Sequence, residues 1–159
     1  MELILIRHAI AEDREKWSGD DDSRPLTQEG IARMEQVSRG LKGLLEDFDA
    51  VYSSPLKRAR QTAEILLKVY KSTCPLYVVE ELRPEAEPKD FLKVIDYSLR
   101  RVVAVGHEPH VGHLAGLLIG STVPFSFKKA AAACFEFLEP QARNSARLLW
   151  FVPPKLLRK

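Results

Sequence analysis

The sequence predicts an α/β fold, a three-layer α/β/α sandwich with a largely parallel central sheet. Three observations predict it. Short apolar runs alternate with segments of helical periodicity along the chain. Two of those runs, Leu3–Ile6 and Val102–Val105, are continuous rather than alternating, as strands buried on both faces are. Both lead into a histidine, His8 and His107, where an ordinary turn would carry Gly, Asn or Asp.

Each element follows in order. After the first strand, residues 8–26 read as a polar loop whose Asp20-Asp21-Asp22 run is solvated. Thr27 is a fitting N-cap for a helix carrying Ile31, Met34, Val37, Leu41 and Leu45, which Gly40 and Gly43 end or loosen. Ala50–Tyr52 is a short strand leading into Ser53-Ser54-Pro55. Serine at the cap and proline at the first helical position open the next helix, whose apolar face holds Ala59, Ala63, Leu66 and Tyr70. Arg58 falls in its first turn, and Arg60 is given to its surface. Leu76–Val79 is a third strand, Glu80–Pro88 a Glu- and Pro-rich loop, and 89–98 a weaker helix. The strand ending on Gly106-His107 precedes a helix over Pro109 and Val111–Ile119. Ala130–Leu138 and Leu148–Val152 are late strands suited to antiparallel pairing, and Phe125, Phe127, Phe135 and Phe137 belong to the core. Lys128-Lys129 and the basic tail 155–159 are expected in solvent, with capacity for a weak contact to an acidic partner.

A chain of 159 residues predicts one domain, 1–159, large enough to fold without disulfide or metal. The 24 basic and 22 acidic residues nearly cancel, which argues against nucleic acid as a partner. Cys74 and Cys134 stand far apart, as reduced thiols in a reducing compartment do. No apolar window approaches a membrane span, and Arg7 interrupts the first apolar run too early for an export signal. The expectation is a cytoplasmic protein, monomeric or weakly dimeric.

Open α/β sheets bind ligands beyond the carboxyl ends of their strands, where helix N-termini point inward. Arg7, His8, Arg58 and His107 all fall at such ends. Together they make a tetrahedral-oxyanion site of guanidinium forks, imidazoles and positive dipole ends. Two histidines within an arginine cage suit phosphoryl transfer, one imidazole acting as nucleophile.

These residues resemble the histidine phosphatase (phosphoglycerate mutase-like) superfamily. The likeness rests on Arg7-His8 at the first strand end, Arg58 within Ser54-Pro55-Leu56-Lys57-Arg58-Ala59-Arg60-Gln61-Thr62, Gly106-His107, and Arg24-Pro25-Leu26-Thr27-Gln28-Glu29-Gly30. The short chain, and Val105-Gly106-His107-Glu108-Pro109 before Val111-Gly112, look most like SixA-type phosphohistidine phosphatases. The resemblance runs from residue 3 to about 138 and implies a phosphoglycerate mutase-like fold. By it, His8 is the nucleophile and Arg7, Arg58 and His107 form the phosphate pocket, with Arg24 as a further phosphate ligand. It requires neither cofactor nor metal. Chemically, His8 must be neutral, with one ring nitrogen facing phosphorus and the other donating to a carbonyl. His107, if protonated, adds a donor as charge builds on the phosphoryl oxygens.

Two departures matter. The superfamily's common Arg-His-Gly triplet is here Arg7-His8-Ala9, and Ala9 can still offer its carbonyl. Mutase-like members place a proton-donating glutamate after the third strand in a Leu-x-Glu context, but Leu82-Arg83-Pro84 stands here, flanked by Glu81 and Glu85 as out-of-register candidates. Losing a general acid costs about 10²–10⁴-fold for an alkoxide leaving group. An imidazole leaving group, titrating near 6.5, needs less help. The expected substrate is therefore a phosphohistidine-bearing protein of the histidine phosphotransfer type, hydrolysed through phospho-His8. Two alternatives stay open: a small phosphate ester of sugar or nucleotide type, and a phosphoprotein-binding module without turnover. His107, His110 and His113 at i, i+3, i+6 raise a metal site, but with only Glu108 at hand His110 and His113 are assigned to the helix's first turn and the pocket's edge.

Overall fold

A computed structural model describes residues 1–139 and 145–158. In these residues six strands form one sheet: β1 (Glu2–Arg7), β2 (Ala50–Ser53), β3 (Leu76–Val78), β4 (Arg101–Gly106), β5 (Ala132–Phe137) and β6 (Ala146–Val152). Their order is β3-β2-β4-β1-β5-β6. The first four named run parallel, while β5 and β6 are antiparallel to their neighbours, as the late strands were expected to be.

Among the described residues, five α-helices cover the sheet: α1 (Gln28–Leu41), α2 (Lys57–Tyr70), α3 (Pro88–Val94), α4 (His110–Leu118) and α5 (Pro154–Leu157). Successive side chains of β1 alternate between the two faces. Ile4 and Ile6 pack with Met34, Val37 and Leu66 beneath α1 and α2, whereas Leu3 and Leu5 pack with Phe91, Val111 and Leu114 beneath α3 and α4. All four β1 residues are fully buried, which explains why the run is continuous rather than alternating. Their burial is worth on the order of 6–12 kcal/mol of transfer free energy, before chain entropy is counted.

Local chemistry sets the helix boundaries. The Thr27 hydroxyl accepts from the Gly30 amide at 2.9 Å, so α1 begins where the cap signal placed it. The α2 cap differs from expectation: the helix starts at Lys57 with Leu56 at the cap and no side-chain cap bond. Ser54 is instead diverted to the site described below. Helix α3 stops at Val94, well short of 98, because the Asp96 carboxylate takes the Ser98 amide at 2.9 Å and turns the chain. The basic tail is also corrected. Residues 154–157 form α5, Leu157 is buried against α1, and a Cβ on Gly40 would lie 2.0 Å from the Leu157 carbonyl oxygen, so that glycine lets the tail dock closely. Lys159 lies outside the described residues.

Among the described residues, no helix is long and apolar enough to cross a membrane. Cys74 and Cys134 are free thiols.

Candidate active site

The register of three adjacent parallel strands builds the site. Arg7 pairs with Gly106 across β1 and β4, and Ser53 pairs with Val105 across β2 and β4, so all three strands end at one edge. The ladder runs one step further: the His8 amide donates to Gly106 O at 2.9 Å and the Ser54 amide to Val105 O at 3.0 Å. His8, Ser54 and His107 therefore arrive side by side. The two imidazole centroids lie 5.1 Å apart, inclined at 55°.

They line a pocket of about 710 Å³ that also takes in Arg7, Arg58 and Arg24. Each ring has one fixed nitrogen. His8 Nδ1–H donates to the Ala9 carbonyl at 2.7 Å, which leaves the Nε2 lone pair free. The loop carrying that carbonyl is itself held, since the Ala9 amide donates to Thr62 Oγ1 at 3.0 Å and the Thr62 hydroxyl donates to the Arg58 carbonyl at 2.7 Å. His107 Nε2 shares a 2.8 Å hydrogen bond with Ser54 Oγ.

Burial is the main force on both imidazoles. It drives His8 down to about 3, the nearby Arg58 and Arg7 charges pushing the same way against the Ala9 carbonyl. It drives His107 down to about 2, helped by His8 and Arg58. His8 is thus a neutral imidazole at ordinary pH. The protonated His107 raised as a possibility from sequence is disfavoured by the protein alone; only a bound multiply charged oxyanion would restore its proton.

The arginines are anchored by the loops around the pocket, Arg58 and Arg24 by residues that also line it. Arg7 donates through one terminal nitrogen to the Phe127 carbonyl at 2.8 Å. Arg58, 4% exposed, donates to the Asp21 carbonyl at 2.8 Å and to its carboxylate at 3.0 Å. Arg24 bonds the other Asp21 oxygen at 3.0 Å and the Glu12 carbonyl at 2.7 Å, so its fork is largely spent on the loop. Asp21 is therefore no solvated member of an acidic run but the counter-ion that fixes Arg58. Those two arginines hold its carboxyl below the usual range, although burial opposes them. Its neighbour Asp22 pairs with Arg83 at 2.8 Å.

The suggested proton donors are corrected. Pro84 lines the pocket, while Glu81 and Glu85 do not: Glu81 lies within the short helical turn at Glu80–Leu82, and the exposed Glu85 pairs with Arg83 at 3.5 Å. Among the described residues, four carboxylates line the pocket: Glu12 and Asp13 are exposed, Asp21 is bound by Arg58 and Arg24, and Glu108 is half-buried beside His107. Burial pushes its carboxyl up, while the Phe127 amide, donating to Oε1 at 3.3 Å, and the charge of Arg7 pull it back. Two further features were missed. Lys129 reaches the pocket wall beside His8. Ala130 adopts a left-handed φ of 64° so that its amide can meet the carbonyls of both Arg7 and His8, at 3.1 and 3.2 Å. Glu108 had a signal, sitting next to His107; Ala130 had none. His110, expected at the pocket's edge, is buried behind it with its pKa lowered to about 4, chiefly by burial, and His113 is exposed.

Residues 3–85 match the histidine phosphatase superfamily (branch 1). The chain is 39% identical over 119 residues to an uncharacterized protein of Picosynechococcus sp., covering 72% of this chain and 71% of that one. It is 37% identical over 100 residues to 5''-phosphoribostamycin phosphatase of Niallia circulans, covering 60% of this chain but only 46% of that enzyme. Its fold matches the structure of the protein histidine phosphatase SixA complexed with tungstate, with a TM-score of 0.86, 25% identity and 99% of both chains covered. The chain belongs to the histidine phosphatase superfamily, and its enzymatic class is that of a phosphatase.

Proposed function

We propose that this chain is a phosphohistidine phosphatase acting on a phosphohistidine-bearing protein through a covalent phospho-His8 intermediate. The Nε2 lone pair of neutral His8 attacks phosphorus as the P–N bond to the substrate imidazole breaks; that ring, already protonated on its other nitrogen, takes the bonding pair and leaves as neutral imidazole. Water then attacks the phosphorus of phospho-His8, forming a P–O bond, breaking the Nε2–P bond and releasing inorganic phosphate. Arg7, Arg58 and His107 hold the phosphoryl oxygens, and the fixed Nδ1–H to Ala9 keeps the attacking nitrogen aimed. Arg24 is assigned a supporting role through Asp21.

One observation carries the choice of substrate. Pro84 lines the pocket at the position where the resemblance expects the proton-donating glutamate, and of the carboxylates around it Glu12 and Asp13 are exposed, Asp21 is bound by Arg58 and Arg24, and the half-buried Glu108 is held by the Phe127 amide and drawn by Arg7. A leaving group that is already a good one meets this pocket's resources best. The second reading, a small phosphate ester, is favoured by Glu108 itself. A carboxyl raised by burial could serve as the acid if its hydrogen bond to Phe127 were released. Comparing kcat/KM for a phosphohistidine protein with a panel of phosphomonoesters separates the two. The proposal expects the phosphohistidine protein to lead by at least about 10²-fold; a phosphomonoester that leads, losing its advantage in Glu108→Gln, overturns it.

A further inference from the structure

Next to the phosphate pocket, and sharing Arg7 and Lys129 with it, runs a second groove of about 640 Å³. Its floor is apolar: Ile10 from the loop after β1, Val37 of α1, Ala130, and Pro153, Pro154 and Leu156 of the docked tail. Leu156 is 65% exposed there, while the adjacent Leu157 is 5% exposed and pins the tail to α1. The groove is therefore a packed surface and not a gap beneath a loose terminus.

Its rim is cationic. Arg33, Lys128, Lys129, Lys155 and Arg158 border the groove, and no Asp or Glu lines it. Of these five, only Arg33 makes an ion pair among the described residues, with Glu29 one turn away on α1. Four uncompensated cations meet here in a chain whose net charge is only +2. Such a concentration repels itself and draws anionic groups from outside the chain. No aromatic side chain lines the groove, so it lacks the stacking platforms that single-stranded nucleic acid uses. An apolar floor within a positive rim is complementary to a protein face whose apolar side chains are flanked by Asp and Glu.

We propose that this groove seats an acidic, amphipathic face of the phosphoprotein substrate while its phosphohistidine enters the adjoining pocket through the shared edge at Arg7 and Lys129. The proposal rests on the phosphohistidine assignment above and adds to it where and by what chemistry the protein part is recognised. It also accounts for Lys128 and the basic tail, which line the groove and not the chemical site.

The test uses the full chain and two substrates: a histidine phosphotransfer domain phosphorylated on histidine and bearing acidic residues beside it, and phosphoramidate. The variants are Lys128→Glu/Lys155→Glu, which reverses the rim, and Leu156→Ser, which removes an exposed apolar contact without touching the core. The rim variant is expected to lose about tenfold or more in kcat/KM toward the phosphoprotein, mostly in KM, and to lose its salt dependence, while phosphoramidate turnover stays within about twofold. Leu156→Ser is expected to show the same selective rise in KM. Equal losses with both substrates would mean that the groove shapes the chemical site or holds a small leaving group, and would overturn the proposal, as would no loss with either. Failure of the parent assignment is seen separately, in the unsubstituted protein: no turnover of the phosphoprotein removes both claims, whereas turnover that is blind to the variants removes only the groove.

Discussion

Three buried histidines make the fold's stability depend on acid, and the size of the effect follows from their surroundings. His8, His107 and His110 are 6%, 2% and 1% exposed, with values lowered from 6.5 to about 3, 2 and 4. A histidine depressed on folding contributes stability that is complete above its unfolded value and is lost as pH falls toward its folded value. The window therefore opens near 6.5 and extends down to about 4 and below. At about pH 5.5 each unfolded imidazole has bound its proton tenfold over while the folded one stays neutral, a difference near RT ln 11, or roughly 1 to 2 kcal/mol each. The three together amount to about 4 kcal/mol, a large part of a typical domain's 5–15. Glu108, whose carboxyl is raised by burial, acts in the opposite sense and offsets part of the loss. Urea unfolding at pH 8 and 5.5, in buffers free of phosphate and vanadate, measures the difference directly. His110→Gln should remove about a third of it. Equal stability at the two pH values, or a pH dependence unchanged by His110→Gln, would refute the reasoning that burial keeps these rings neutral.

Other substitutions probe the supports of the site. Thr62→Val leaves the buried Ala9 amide without its acceptor and should cost about 1–3 kcal/mol by chemical denaturation, with a matching fall in kcat as the His8 loop loosens. Ser54→Ala removes the 2.8 Å partner of His107 Nε2 and should lower kcat/KM about tenfold while shifting its pH profile; an unchanged profile would show that Ser54 does not hold that ring. Gly30→Ala gains about 1 kcal/mol of helix propensity, yet its Cβ would lie 2.0 Å from the Ile10 carbonyl oxygen, so a net loss of roughly 1–2 kcal/mol is expected in thermal unfolding.

How much of this was legible beforehand depended on how local each signal is. The continuous runs of β1 and β4 carry their own evidence of burial, and a histidine behind each marks the sheet edge, so the meeting of Arg7, His8 and His107 followed from topology alone. Arg58 was legible because its helix begins directly after a strand. Asp21 was not. It lies 37 residues from Arg58, inside a run of three aspartates that looks solvated, and only the folded loop brings it against the guanidinium. Ser54 was read as a helix cap because Ser-Pro at that spacing is a cap signal, but its hydroxyl is claimed by His107, a residue no local pattern relates to it. The tail was read as solvated from its charges, since the burial of Leu157 depends on Gly40, more than a hundred residues earlier.

The central claim is that phosphate passes through a covalent bond to the free Nε2 of His8. Mass spectrometry of the enzyme quenched during turnover of a ³²P-labelled phosphohistidine protein tests it most directly. The account predicts label on the peptide holding residue 8, lost in acid, stable in base and absent from His8→Ala, a variant that should still bind vanadate through Arg7 and Arg58. Label on any other residue, or a His8→Ala enzyme that keeps most of its activity, would contradict it.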